Sequence, residues 1–120
     1  MGKILLLIAA LSALAAGPAF AHARLESADP KVGATVAAAP ARIRLKFSEV
    51  IRLGGSGVML TGPDGHGHLL QPLTQDPADV RAVLAPTPTG LQPGRYKVEW
   101  RALSSEGHHT QGDFTFTIAP

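Results

Sequence analysis

The sequence contains no cysteine in its 120 residues. That excludes disulfides, thiolate metal sites, iron–sulfur clusters and cysteine nucleophiles together. Aromatic residues make up only 5%, with one Trp and one Tyr, too few for a platform on which bases could stack. Lys and Arg number 11 against 9 Asp and Glu, a net charge of +2. The cations form no cluster that could follow a phosphate backbone, so nucleic-acid binding is not expected. No Asp or Glu stands in a plausible acid/base pair, and no Ser lies in a nucleophile motif. Ser48, Ser56, Ser104 and Ser105 read as strand-end or turn residues. Repeats, low-complexity tracts and linkers are also missing, and the length suits one domain.

The chain opens with a short positive region at Lys3 and an apolar run from Ile4 to Ala16. Gly17-Pro18 breaks the run, and Ala19-Phe20-Ala21 has the small-x-small form of a cleavage site. This is the pattern of a secretory signal peptide over residues 1–21. As a helix the run would span roughly 20 Å, short of a hydrocarbon core of about 30 Å. Cleavage leaves residues 22–120 as an exported domain, soluble and nearly neutral. It also makes His22 the first residue. A free α-amine ordinarily titrates near ~7.7–8.0 and an imidazole near ~6.5. Once deprotonated, the amine and the near ring nitrogen can close a chelate ring on one metal ion.

Gly 13 and Pro 10 favour a turn-rich β domain over a helical bundle. Three segments alternate with period two. In Arg42–Ser48, Ile43, Leu45 and Phe47 oppose Arg42, Arg44 and Lys46. In Arg95–Leu103, Tyr96, Val98, Trp100 and Ala102 oppose Lys97, Glu99 and Arg101. In Asp113–Ile118, Phe114, Phe116 and Ile118 oppose Thr115 and Thr117. Weaker strands are expected at His22–Ser27, Val58–Thr61, His68–Leu70 and Val80–Leu84. Asp29-Pro30-Lys31-Val32-Gly33, Gly54-Gly55-Ser56-Gly57, Gly62-Pro63-Asp64-Gly65 and Pro93-Gly94 supply turns between them. About seven short, half-buried strands indicate an all-β Greek-key sandwich or barrel in one domain. Leu91 to Tyr96 suits a tyrosine corner, in which Tyr96 bonds back to upstream backbone. Trp100 alternates in phase with Val98 and is expected in the core.

The five histidines occupy three places: the new N-terminus (His22), a Gly-rich loop (His66, His68) and the turn after the Trp100 strand (His108, His109). Glu106 and His108 are two apart, so in an extended segment both point to one side. With a bidentate His22 they make an N,N,N,O set. Square-planar N,O geometry is diagnostic of Cu(II), whereas zinc prefers a tetrahedral set. The same residues also suit a solvated turn around Gly107. His66-Gly67-His68 reads either as a second, weak metal site, with His109 a further candidate, or as a polar hairpin turn.

Several motifs, in order, resemble the CopC family of periplasmic copper-binding proteins. They are His22-Ala23-Arg24-Leu25-Glu26-Ser27-Ala28-Asp29-Pro30, Pro40 to Glu49, Gly94 to His108, and Gly112-Asp113-Phe114-Thr115-Phe116. The likeness runs over essentially all of residues 22–120. It implies an immunoglobulin-like Greek-key β-barrel that binds one Cu(II) and serves copper homeostasis or resistance as carrier or buffer in the periplasm. It further implies that the protein is a monomer, is not an enzyme, and has a CopD-type membrane copper transporter as partner. The family's ligands fall on His22, through amine and imidazole, and on an Asp-x-His pair that here reads Glu106 and His108. Glu is one methylene longer than the usual Asp, so its oxygen can overshoot, bind axially or give way to water. Some members carry a methionine-rich Cu(I) site in the mid-chain loop. Met59 alone stands there, beside His66 and His68, and thioethers are what select Cu(I). A Cu(II)-only member is therefore expected.

Two other readings fit parts of the sequence. A copper oxidase with a histidine brace, resembling lytic polysaccharide monooxygenases, would also start with His. It would need a broad aromatic substrate face that this composition does not offer. A metal-free sandwich module for interaction needs only the fold.

Overall fold

The computed structural model describes residues 22–120. The signal peptide expected at 1–21 lies outside the described residues. The described residues form nine strands and one 3-10 turn, Leu53–Gly55. The strands are β1 (Leu25–Asp29), β2 (Thr35–Val36), β3 (Arg42–Phe47), β4 (Gly57–Thr61), β5 (Gly67–Leu69), β6 (Thr74–Asp76), β7 (Asp79–Pro86), β8 (Gly94–Leu103) and β9 (His109–Ile118). One sheet runs β1-β3-β7-β6 and the other β2-β9-β8-β4-β5. All pairs are antiparallel except β2 with β9.

The all-β class holds, and the two sheets stay separate. The molecule is therefore an open sandwich, and the closed barrel is not formed. Strands that neighbour in space, such as β3 with β7 and β4 with β8, come from separated parts of the chain, as Greek-key connectivity requires.

Alternation explains which side chains fill the space between the sheets. Ile43, Leu45 and Phe47 of β3 are buried, as are Val58 and Leu60 of β4. Tyr96, Val98 and Ala102 of β8 and Phe114, Phe116 and Ile118 of β9 join the same cluster. Fully burying a side chain such as Leu or Phe stabilises by roughly 1.5–3 kcal/mol, so this layer is the main source of stability. The tyrosine corner forms as expected: the Tyr96 hydroxyl donates to the Gln92 carbonyl at 2.6 Å. Burial pushes the Tyr96 phenol above its ordinary value of 10.0. Trp100 packs at the margin of the core, half-buried, with its ring edge-on to Phe47 at 5.2 Å.

On the outer face of the first sheet, ion pairs tie β3 to β6 and to the start of β7. Arg44 Nε lies 2.8 Å from Asp76, and Lys46 Nζ 3.1 Å from Asp79. Both carboxyls sit below their ordinary 3.8. For Asp76 the first cause is the Arg44 hydrogen bond; for Asp79 it is the Arg81 backbone N–H, then Lys46.

Two strands escape the sequence pattern. β2 has two residues and β6 three, too short to show a period. β9 begins at His109, ahead of the expected Asp113, because its polar first half is held by the ladder to β8, from Leu103↔His109 to Glu99↔Asp113. β1 starts at Leu25, after the expected His22, and its register shifts between Leu25 and Ser27.

Candidate metal centre

The site is built where the first strand and the β8–β9 hairpin reach the same end of the sandwich. Ser104 follows β8 directly and is wholly buried. Its N–H donates to the His108 carbonyl at 2.9 Å, and its hydroxyl accepts the His108 N–H at 3.2 Å. The Ser104 carbonyl accepts the Gly107 N–H at 2.9 Å. These bonds close a tight turn over Ser104–His108. Gly107 has φ +92°, a left-handed conformation that glycine adopts without a Cβ penalty.

The connection between β3 and β4 straps this turn. The Ser105 N–H donates to the Val50 carbonyl at 3.0 Å, and the Arg52 guanidinium donates to the Ser105 carbonyl at 2.6 Å. The Arg52 N–H donates to the Leu103 carbonyl at 2.8 Å. The Ser56 hydroxyl donates to the Arg52 carbonyl and accepts the Leu103 N–H.

The N-terminal segment is held on the other side. Ala23 is buried, 2% exposed. The Arg24 N–H donates to the Ser48 hydroxyl and the Ser48 N–H to the Arg24 carbonyl, each at 2.8 Å. The outcome is that His22 meets His108. Their ring centroids lie 4.9 Å apart, with the planes at 76°. Both residues are exposed to solvent. Two imidazoles side by side at the surface are a ready pair of metal donors, since neutral imidazole is the commonest metal ligand.

Glu106 is not gathered into this pair. Among the described residues no three His, Asp or Glu side chains converge. The expectation that Glu106 and His108 share a side rested on an extended segment. The segment is instead a closed turn with Gly107 left-handed, so the alternation does not apply. His109 opens β9 opposite Leu103 and is exposed.

The other histidines are elsewhere. The His66 N–H and ring both bond to Asp64, at 3.0 and 2.9 Å, within the hairpin turn closed by the Gly65 N–H on the Gly62 carbonyl. The Asp64 carboxyl is held below its ordinary value, first by the His66 backbone N–H and next by its ring. His68 lies on β5 opposite Leu60, and Met59 on β4 opposite Leu69. This geometry is that of the polar hairpin turn.

Sequence reasoning did not single out Ser48 and Ser104 for the site. The signal for Ser104 was its phase: it continues the inward series Tyr96, Val98, Trp100, Ala102 as a polar residue. Thr110 follows the same logic. It is paired with Ala102, and its hydroxyl is buried without a hydrogen-bond partner.

A family model, the CopC domain, matches residues 25–119. The chain belongs to the CopC family. It is 37% identical over 99 residues to Protein YobA of Escherichia coli K12, covering 82% of this chain and 80% of that protein. It is 35% identical over 106 residues to Copper resistance protein C of Escherichia coli, with 83% of each covered. Among solved structures it is similar to CopC from Methylosinus trichosporium OB3b, with TM-score 0.73 and 29% identity over 82% of this chain and 95% of that one. It is also similar to PcoC, a methionine-rich copper resistance protein from Escherichia coli, with TM-score 0.69 and 33% identity over 82% and 99%. In this CopC-family chain, the His22–His108 pair stands at the start of the domain and at the end of its longest hairpin.

Proposed function

We propose that this CopC-family chain is a periplasmic Cu(II)-binding protein acting in copper homeostasis and resistance, as a carrier or buffer with no catalytic turnover. Signal cleavage after Ala21 frees the amine of His22, and residues 22–120 form the working monomer. One Cu(II) is held per chain. The donors are the amine and imidazole of His22 and the imidazole of His108; Glu106, which the turn leaves outside this pair, supplies the carboxylate if metal binding draws it in. A CopD-type membrane transporter is the proposed partner.

The observation that carries this reading is the contact between His22 and His108, two donors from opposite ends of the chain brought to 4.9 Å between ring centroids. The names of the copper resistance relatives support the metal. The donor chemistry supports the oxidation state: nitrogen and carboxylate donors suit Cu(II), and the thioethers that select Cu(I) are reduced to Met59.

The test is a Cu(II) titration of residues 22–120 followed by paramagnetic resonance. One equivalent of a type with three nitrogen donors is the expected result. Stoichiometric binding of Cu(I) in preference to Cu(II), or no tight binding, overturns it.

A further inference from the structure

We infer that Ser48 and Ser104 are paired positioning residues for the two donor histidines, an assignment that rests on the copper site proposed above. Each serine stands one step beyond the end of its antiparallel ladder. The β1–β3 ladder ends at Leu25↔Phe47, and the next opposed pair is Arg24 with Ser48. The β8–β9 ladder ends at Leu103↔His109, and the next opposed pair is Ser104 with His108.

At both places the bonding is the same. The serine N–H donates to the opposed residue's carbonyl, at 2.8 Å to Arg24 and 2.9 Å to His108. The opposed residue's N–H then goes to the serine hydroxyl, at 2.8 Å from Arg24 and 3.2 Å from His108. A regular ladder would use the serine carbonyl as that acceptor. The hydroxyl takes its place, so both backbone groups of the opposed residue stay bonded while the strand direction changes.

The released carbonyl has a use at one of the two positions. Ser104 C=O accepts the Gly107 N–H, which closes the turn that carries His108. At the other position the clamp seizes Arg24, two residues from His22, while Ala23 between them is buried. Each donor histidine is thus fixed by a serine on a core strand edge. Ser104 is wholly buried, and its single side-chain polar atom is engaged at this turn. The two clamps set the His22–His108 separation before any metal arrives, and preorganised donors lose less ordering entropy on binding.

The test compares Ser48→Ala, Ser104→Ala and Ser48→Thr with the parent as residues 22–120. Two readouts need no metal: the nuclear Overhauser contact between the His22 and His108 rings, and hydrogen exchange of the Arg24 and His108 amides. Cu(II) affinity by chelator competition and the paramagnetic spectrum complete the set. Each alanine variant is expected to lose the ring contact, to speed exchange at its own clamped amide, and to weaken Cu(II) by ~10–100-fold, the effect typical of removing a group that orients a ligand. Ser48→Thr keeps an acceptor oxygen and is expected to restore all of these. If the alanine variants fold, lower Tm, and keep ring contact and affinity, the serines are merely structural and the assignment falls. Should Ser104→Ala not fold, the half-buried Ser48→Ala carries the same test alone. A parent that binds no Cu(II) sinks the proposed function instead, and the metal-free ring contact then decides the clamps by itself.

Discussion

The His22 imidazole stands edge-on to the His108 imidazole, with centroids 4.9 Å apart at 76°. His22 is reached from β1 and His108 from the β8–β9 turn, so the contact exists only when both sheets are in place. The proposed Cu(II) site depends on this contact and on a free amine at His22.

Retaining Ala21 ahead of His22 turns that amine into an amide. Cu(II) affinity is expected to fall by orders of magnitude while the fold is unchanged. Chelator competition on chains beginning at Ala21 and at His22 checks this, and equal affinities would remove the amine from the ligand set.

Among single substitutions, His108→Ala is expected to cost more Cu(II) affinity than Glu106→Ala, and more than the ~100-fold upper range for losing an orienting group. The His108 ring already touches that of His22, whereas Glu106 forms no three-residue group with them. His109→Ala is expected to leave affinity unchanged, because His109 belongs to the ladder opposite Leu103. A larger loss at His109 than at His108 would reassign the donor.

Acid should loosen the first sheet. Asp76 and Asp79 are both held below 3.8 by neighbouring donors and cations. A carboxyl lowered in the folded state binds fewer protons there than in the unfolded chain, so stability rises with pH across its titration. The contribution is complete above the ordinary value of 3.8 and is lost as pH falls through the lower folded values. Melting curves between about pH 2 and 5 are expected to show a steeper dependence for the parent than for Asp76→Asn. Parallel curves would mean that the Arg44–Asp76 pair does not couple to folding.

Gly112 lies opposite Trp100, and a Cβ there would come within 2.7 Å of the indole Cζ2. Overpacking of this kind typically costs about 1–3 kcal/mol. Gly112→Ala is expected to lower Tm by several degrees and to alter the near-ultraviolet dichroism of the only Trp, which packs on Phe47. An unchanged Tm would show that the indole has room to move.

Thr110→Val removes a buried hydroxyl that lacks a partner. Leaving such a group unmatched costs about 1–3 kcal/mol, so Tm is expected to hold or rise. A clear fall would mean that the hydroxyl binds a water or other group in solution.

Much of the fold could be read from the chain. Arg42–Phe47 and Gly94–Leu103 alternate strictly because one face meets the opposite sheet and the other meets water, and their strands fall where the alternation does. β7 was fainter for a physical reason: Ala82, Val83, Leu84 and Ala85 are all buried, which erases a period of two. The tyrosine corner was legible because it is local, with Tyr96 bonding only four residues back. β2 and β6 were not, since strands of two and three residues exist through their partners alone.

The sequence by itself determined the candidate donor types and two of their proposed addresses. Cysteine is absent, and a histidine follows a cleavage pattern while another follows the longest alternating strand. It also determined that two half-buried layers must cover each other. Only the tertiary structure decided that the sheets remain an open sandwich, that His22 and His108 touch, and that Glu106 stays outside their contact. Those outcomes depend on pairings between distant segments and on one left-handed glycine at position 107. Periodicity reports which face of a strand is buried. It carries no information about which strand end meets which, and that meeting is set by ladder register and by the hydroxyls of Ser48 and Ser104 beyond the ladders' ends.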